Sequence, residues 1–242
     1  MGFAITLAIG AILAGAIATV AGFGIGSILT PVIALHADTK VAVAAVSIPH
    51  VLGTSLRFWR LRRSVDQKVF LNFGIASASG GLLGAVLHAY ADSPALTALF
   101  GGLLVFAGTA GLTGFSSRMR FGTVPAYIAG AASGAFGGLV GNQGGIRSAA
   151  MLGFQIPKES FVATATAIAL IVDAVRMPVY FLAEGQRILA LWPAVSIATV
   201  GVLVGTLGGE KVLRRVPDRL FRLLVSLLIL VLGLFELWQL RW

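Results

Sequence analysis

Long apolar runs separated by short polar turns fill the chain, and two of the runs are interrupted by glycines at comparable places in its two halves. Residues 3–21 are apolar, residues 22–26 (GFGIG) break the run, and residues 27–35 resume it with Pro31 inside. One straight helix over 3–35 would be about 50 Å long against roughly 30 Å of hydrocarbon, so a broken segment is predicted. The next run, 41–59, carries Pro49, His50 and Thr54 and ends among Arg57, Arg60, Arg62 and Arg63. Residues 69–90 follow, with Gly80 and Gly84 at a spacing suited to close helix contact. Residues 95–115 are closed by Ser116, Ser117, Arg118 and Arg120. The second half repeats the order: apolar to Val140, broken at 141–145 (GNQGG), resumed through Leu152, then spans at 161–182, 188–207 and 220–240. Gly201, Gly205 and Gly209 recur every four residues, which predicts another close helix contact. Trp59, Trp192, Trp238 and Trp242 fall at run ends, as interfacial anchors do.

Displacing one half over the other by 119 positions superposes Gly15, Gly22, Gly26, Val43, Ala44 and Arg57 on Gly134, Gly141, Gly145, Val162, Ala163 and Arg176. With the shared order of elements, this predicts an all-α polytopic membrane protein of two repeats, residues 1–121 and 122–242. Each repeat is a broken segment (3–36 and 123–154) followed by three spans. If each broken segment crosses the membrane the halves are parallel; if it dips in and returns they are inverted. Lysine and arginine placement decides, because these residues concentrate in cytoplasmic turns. With 57–68 inside, the inverted arrangement puts 13 of the 18 basic residues inside and four outside, with Arg147 in the membrane; the parallel arrangement gives 10 and 7. Six crossings plus two re-entrant hairpins are therefore expected, with both termini outside.

Composition narrows the function classes. The chain is 57% hydrophobic and 11% charged, with mean hydropathy +0.95, which excludes a soluble domain. A net charge of +9 suggests nucleic acid only until the basic residues are located, at the ends of apolar runs; no nucleic-acid partner is expected. Without cysteine there is no disulfide, thiolate metal site or thiol nucleophile. The first run lacks a charged leader and a cleavage site and reads as retained structure. No phosphate loop, zinc-protease signature or paired buried carboxylates occur, so neither an enzyme nor a cofactor is expected.

Lipid solvates no polar group, so polar residues at membrane depth are candidates for function. Two broken helices at inverted positions present half-helix N-termini, with free N–H groups and a positive dipole end, toward the membrane centre, where an anion is the natural guest. The two breaks are expected to face each other. The candidate anion-binding set is Gly24, Gly26, Ser27, His50, Thr54, Arg57, Asn142, Gln143, Gly144, Gly145, Arg147 and Arg176. Ser27 and Arg147 are expected in the first turn after their breaks. GFGIG alternatively serves tight helix packing, and His50 either binds an anion, relays protons or is satisfied by a carbonyl. Arg57 and Arg176 occupy matched positions, expected near opposite membrane faces as access ligands. Alternatively Arg57 is a positive-inside residue and Arg176 pairs with Asp173 three positions earlier. Thr54, Thr164 and Thr166 either line a path or bond their own helix backbone.

The segments AGFGIGSILTP (21–31) and GLVGNQGGIRSAAML (138–152), within the duplicated plan, resemble the TauE/SafE, or sulfite exporter, family of permeases. The resemblance implies a multi-pass carrier of the bacterial inner membrane. Its substrate would be a small sulfur-containing anion, sulfite or an organosulfonate such as sulfoacetate. Phe23 and Ile25 depart from the glycine-richer form of the first motif. The expected partners are that anion and the lipid bilayer, with a homodimer allowed. A passive anion channel and a non-transporting membrane scaffold are the competing readings, and nothing in the sequence separates carrier from channel.

Overall fold

The computed structural model describes residues 2–88, 94–114, 123–140 and 143–239, which form helices joined by short turns, with no strand among them. The first broken segment is α1 (Gly2–Ala21) and α2 (Ile25–Ala34). Gly22 (φ 83°) and Gly24 (φ 134°) hold backbone conformations that L side chains rarely adopt, which is why the run breaks at these glycines. The two helices fold back on each other: the Phe3 ring lies 3.9 Å from that of His36, so the hairpin's ends sit side by side. Next come α3 (Thr39–Leu61), the short α4 (Gln67–Val69), a π-helical turn at Phe70–Gly74, α5 (Ile75–His88) and α6 (Pro94–Leu112). The Asp66 carboxylate caps α4 by accepting from the Val69 N–H. In the second half, α7 (Thr123–Val140) and α8 (Gln143–Met151) precede the 33-residue α9 (Lys158–Ala190), α10 (Trp192–Arg215) and α11 (Asp218–Gln239). Five helices among the described residues, within α1, α3, α9, α10 and α11, are long and apolar enough to cross a membrane.

The tightest helix pairs join opposite halves. A Cβ on Gly205 would lie on the carbonyl oxygen of Ile12 and 2.9 Å from the Ala16 nitrogen, and one on Gly15 would meet the Val202 carbonyl. Residue numbers rise together along this contact, so α1 and α10 run parallel. Gly80 stands in the same relation to Ala131 and Ala135, and Gly134 to Ser77 and Gly81, so α5 and α7 also run parallel. These glycines let backbones approach where lipid supplies no hydrophobic drive for helices to associate. Two further pairs are antiparallel. In α6 and α11, Gly108 abuts Leu230 and Gly233 abuts Val105. In α3 and α9, His50 faces Asp173 and Arg57 faces Thr166. The expected close contacts of Gly80 and of Gly201, Gly205 and Gly209 are all present. At the basic end, Glu210 of α10 accepts from Arg60 of α3 and from Arg214 one turn on, and Arg222 donates to the carbonyls of Leu152 and Ile156.

Candidate functional site

The antiparallel pair α3 and α9 carries most of the buried polar chemistry. His50, Thr54 and Arg57 recur at helical spacing on one face of α3, and Thr166, Asp173 and Arg176 do so on α9. Arg57 is 2% exposed, Arg147 3%, Arg176 7% and Asp173 1%. Arg57 donates through Nε to the Thr166 hydroxyl at 2.8 Å and through Nη2 to Thr54 at 3.5 Å. Thr166 in turn donates to the Val162 carbonyl, and Thr164 accepts from the Asp66 N–H. Asp173 is the hub of the other half. Its Oδ1 takes Nε and Nη2 of Arg176 at 2.9 and 2.7 Å, and its Oδ2 lies 2.7 Å from Nδ1 of His50. The Arg176 guanidinium also lies over the Tyr180 ring, 5.8 Å from its centre.

Arg147 of α8, a helix that packs against α9, is buried in the same region, where Asp173 attracts it and Arg57 and Arg176 repel it. Among the described residues its Nε is buried without a hydrogen-bond partner, as is Nη1 of Arg57. Among the described residues the region thus holds three buried guanidiniums and one buried carboxylate, a surplus of two positive charges while His50 is neutral. An unpaired buried charge costs several kcal/mol, and an unmade buried hydrogen bond about 1 to 3 more, so the arrangement favours an anion from outside the chain.

The two glycine breaks meet near this cluster: a Cβ on Gly144 would fall 2.6 Å from that of Phe23. Gly24 precedes α2 as its N-cap, and the Ile28 N–H bonds the Gly24 carbonyl, so the Gly26 N–H precedes that first helical bond. A Cβ on Gly26 would meet nothing within 4 Å, the one glycine of the two motifs with open space before it among the described residues. Ser27 is the third residue of α2. Gln143 opens α8, and Asn142 lies outside the described residues. Gly144 and Gly145 lie within α8, where a Cβ on Gly145 would press on Leu232 at 2.7 Å. Helix packing thus accounts for part of the second motif.

Two expectations need correction. Arg147 is the fifth residue of α8, not in its first turn, because the helix begins at Gln143 and includes the glycines. Arg57 and Arg176 are closer together than two opposite membrane faces would be. Arg57 is level with Thr166, so Arg176 is ten residues, or about 15 Å, further along α9, about half the depth of the hydrocarbon. Along the sequence Asp173 is visible only as a helical neighbour of Arg176, and its bond to His50, 123 positions away, is not. Its one visible signal is a carboxylate in the middle of an apolar run.

Fold and site together define a multi-pass α-helical membrane protein with a buried, cation-rich cluster. The sequence matches the family of sulfite exporters TauE/SafE over residues 7–235, and the chain belongs to that family. Membership places it among membrane exporters of sulfite and related sulfur anions. Neither the curated proteins nor the solved structures yield a match.

Proposed function

We propose that the protein exports sulfite, or an organosulfonate such as sulfoacetate, across the bacterial inner membrane as a secondary transporter. One anion is held among Arg57, Arg147 and Arg176 by alternating access of two inverted repeats, residues 1–121 and 122–242. The observation that carries this reading is Arg147, buried at the junction of the two breaks with Nε unpaired among the described residues, near two further buried arginines. A guanidinium presents several donors in a plane and fits two oxygens of an oxyanion. A surplus of two positive charges suits a doubly charged guest. The N-termini of α2 and α8 add positive dipole ends, with Gly26, Ser27, Gln143, Gly144 and Gly145 in their opening turns and Asn142 just before α8.

Support for inverted repeats comes from the matched contacts. The pair of Gly205 with Ile12 and Ala16 maps onto that of Gly80 with Ala131 and Ala135 by shifts of 125 and 119 positions. In α3 with α9 and in α6 with α11, a helix packs antiparallel against its own counterpart, as a two-fold axis in the membrane plane requires. The test is counterflow in proteoliposomes. Sulfite inside should drive saturable uptake of labelled sulfite, and Arg57→Ala and Arg147→Ala should abolish it. Flux that never saturates supports a channel, and no flux of any sulfur oxyanion refutes transport.

A further inference from the structure

Positions 54 and 173 are matched by the 119-residue shift and stand three residues before the matched arginines, yet one is threonine and the other aspartate. Arg57 has a neutral partner at that place, and Arg176 a carboxylate that also holds His50. A carboxylate on a guanidinium occupies the position an oxyanion would take. From this asymmetry, and resting on the anion-site reading above, we infer that Asp173 is a built-in competitor anion, which releases Arg176 to the substrate when His50 takes up a proton. Anion binding and proton binding at this site are therefore coupled.

With His50 neutral, the Asp173 charge is balanced mainly by Arg176, and an arriving anion meets both a competitor and a like charge. With His50 protonated, the imidazolium balances Asp173 through the existing 2.7 Å contact, and Arg176 can turn to the substrate. The charged and titratable groups around His50 fit this arrangement. From α9 they are Asp173, Arg176 and Tyr180, from α8 Arg147, and from α3 itself Arg57. α2 carries no titratable residue, and the Glu210 of α10 is engaged with Arg60 and Arg214. The sign follows from linkage. If anion binding raises proton affinity at the pair, lowering the pH raises anion affinity by the same factor, up to about tenfold per pH unit for one proton.

Methanesulfonate serves as the probe because its charge is constant between about pH 5 and 8, as that of sulfite is not. Calorimetry of the purified wild type, in buffers of different ionisation enthalpy, counts the protons taken up per anion bound. The count should approach one in the mid-range, and affinity should fall as pH rises. Asp173→Asn should bind at high pH as tightly as wild type does at low pH, with no proton uptake. His50→Gln should bind weakly at every pH, because Asp173 keeps Arg176. Thr54→Asp, which places a second internal carboxylate beside Arg57, should weaken binding at every pH while keeping proton uptake. Wild-type binding without proton uptake, or an Asp173→Asn variant that keeps the pH dependence, overturns the coupling and leaves the anion site standing. A wild type that binds no methanesulfonate, sulfite or sulfate at any pH overturns both.

Discussion

Replacing Arg147 with methionine separates a binding arginine from a structural one, because the two roles move stability and affinity in opposite ways. Methionine keeps the apolar stem and removes the charge. In the anion-free protein Arg147 is buried, attracted by Asp173 but repelled by both Arg57 and Arg176, and its Nε has no partner among the described residues. Removing it relieves repulsion and an unmade hydrogen bond, so the thermal midpoint of the empty protein in detergent should hold or rise. The anion then loses a charge-assisted hydrogen bond of about 1.5 to 3 kcal/mol, and the dissociation constant for sulfite should rise roughly ten- to a hundredfold. Stabilisation of the wild type by saturating sulfite should largely disappear in the variant. Arg147→Lys should recover part of the affinity, since an ammonium restores the charge without the planar fork. Scanning calorimetry with and without sulfite, beside equilibrium binding, reads all three quantities. A variant that melts well below wild type but binds sulfite as tightly shows that Arg147 is a packing residue, and the proposed site is then wrong.

Three further expectations concern the frame around the site. Gly205→Leu and Gly80→Leu should each overpack a matched backbone contact at a cost of about 1 to 3 kcal/mol, so their thermal midpoints should fall together; a drop in only one breaks the proposed equivalence of the two contacts. Single cysteines at Gly185 and Arg215, introduced into a chain that has none, should react with an impermeant reagent in intact cells at 185 and not at 215, and equal reaction would overturn the inverted topology. Glu210→Gln removes the charge that ties Arg60 of α3 to α10, so hydrogen exchange at residues 57–64 should quicken while sulfite affinity is unchanged; slower exchange there would contradict the tie.

Much of this was legible in the sequence because membrane constraints are severe. Bilayer-length runs, the Gly201, Gly205 and Gly209 spacing and the broken first segment all follow from lipid's refusal to solvate a backbone. Arg147 stood out for the same reason. What stayed hidden depends on where distant helices meet. The partners of His50 and Arg57 lie 123 and 109 positions away, set by the crossing of α3 and α9, which no local pattern encodes. The start of α8 departs from the sequence expectation because Gly144 and Gly145, part of the expected break, are inside the helix, where they admit Phe23 and Leu232.

The crossing of halves has a consequence for how the chain is made. α1 packs its backbone against α10, and α7 against α5, so α1 waits for a partner about 190 positions later. Until α9 is inserted, Arg57 has no Thr166 to bond; the Gly80 surface lacks its partner until α7 is made, and the Gly15 surface until α10 is made. His50 and Arg57 of the first half find partners in the second, so an isolated first half is an incomplete molecule exposed to membrane quality control. Two halves made from separate messages should accumulate only when present together, because the fold is reached by mutual insertion and not by docking of finished domains.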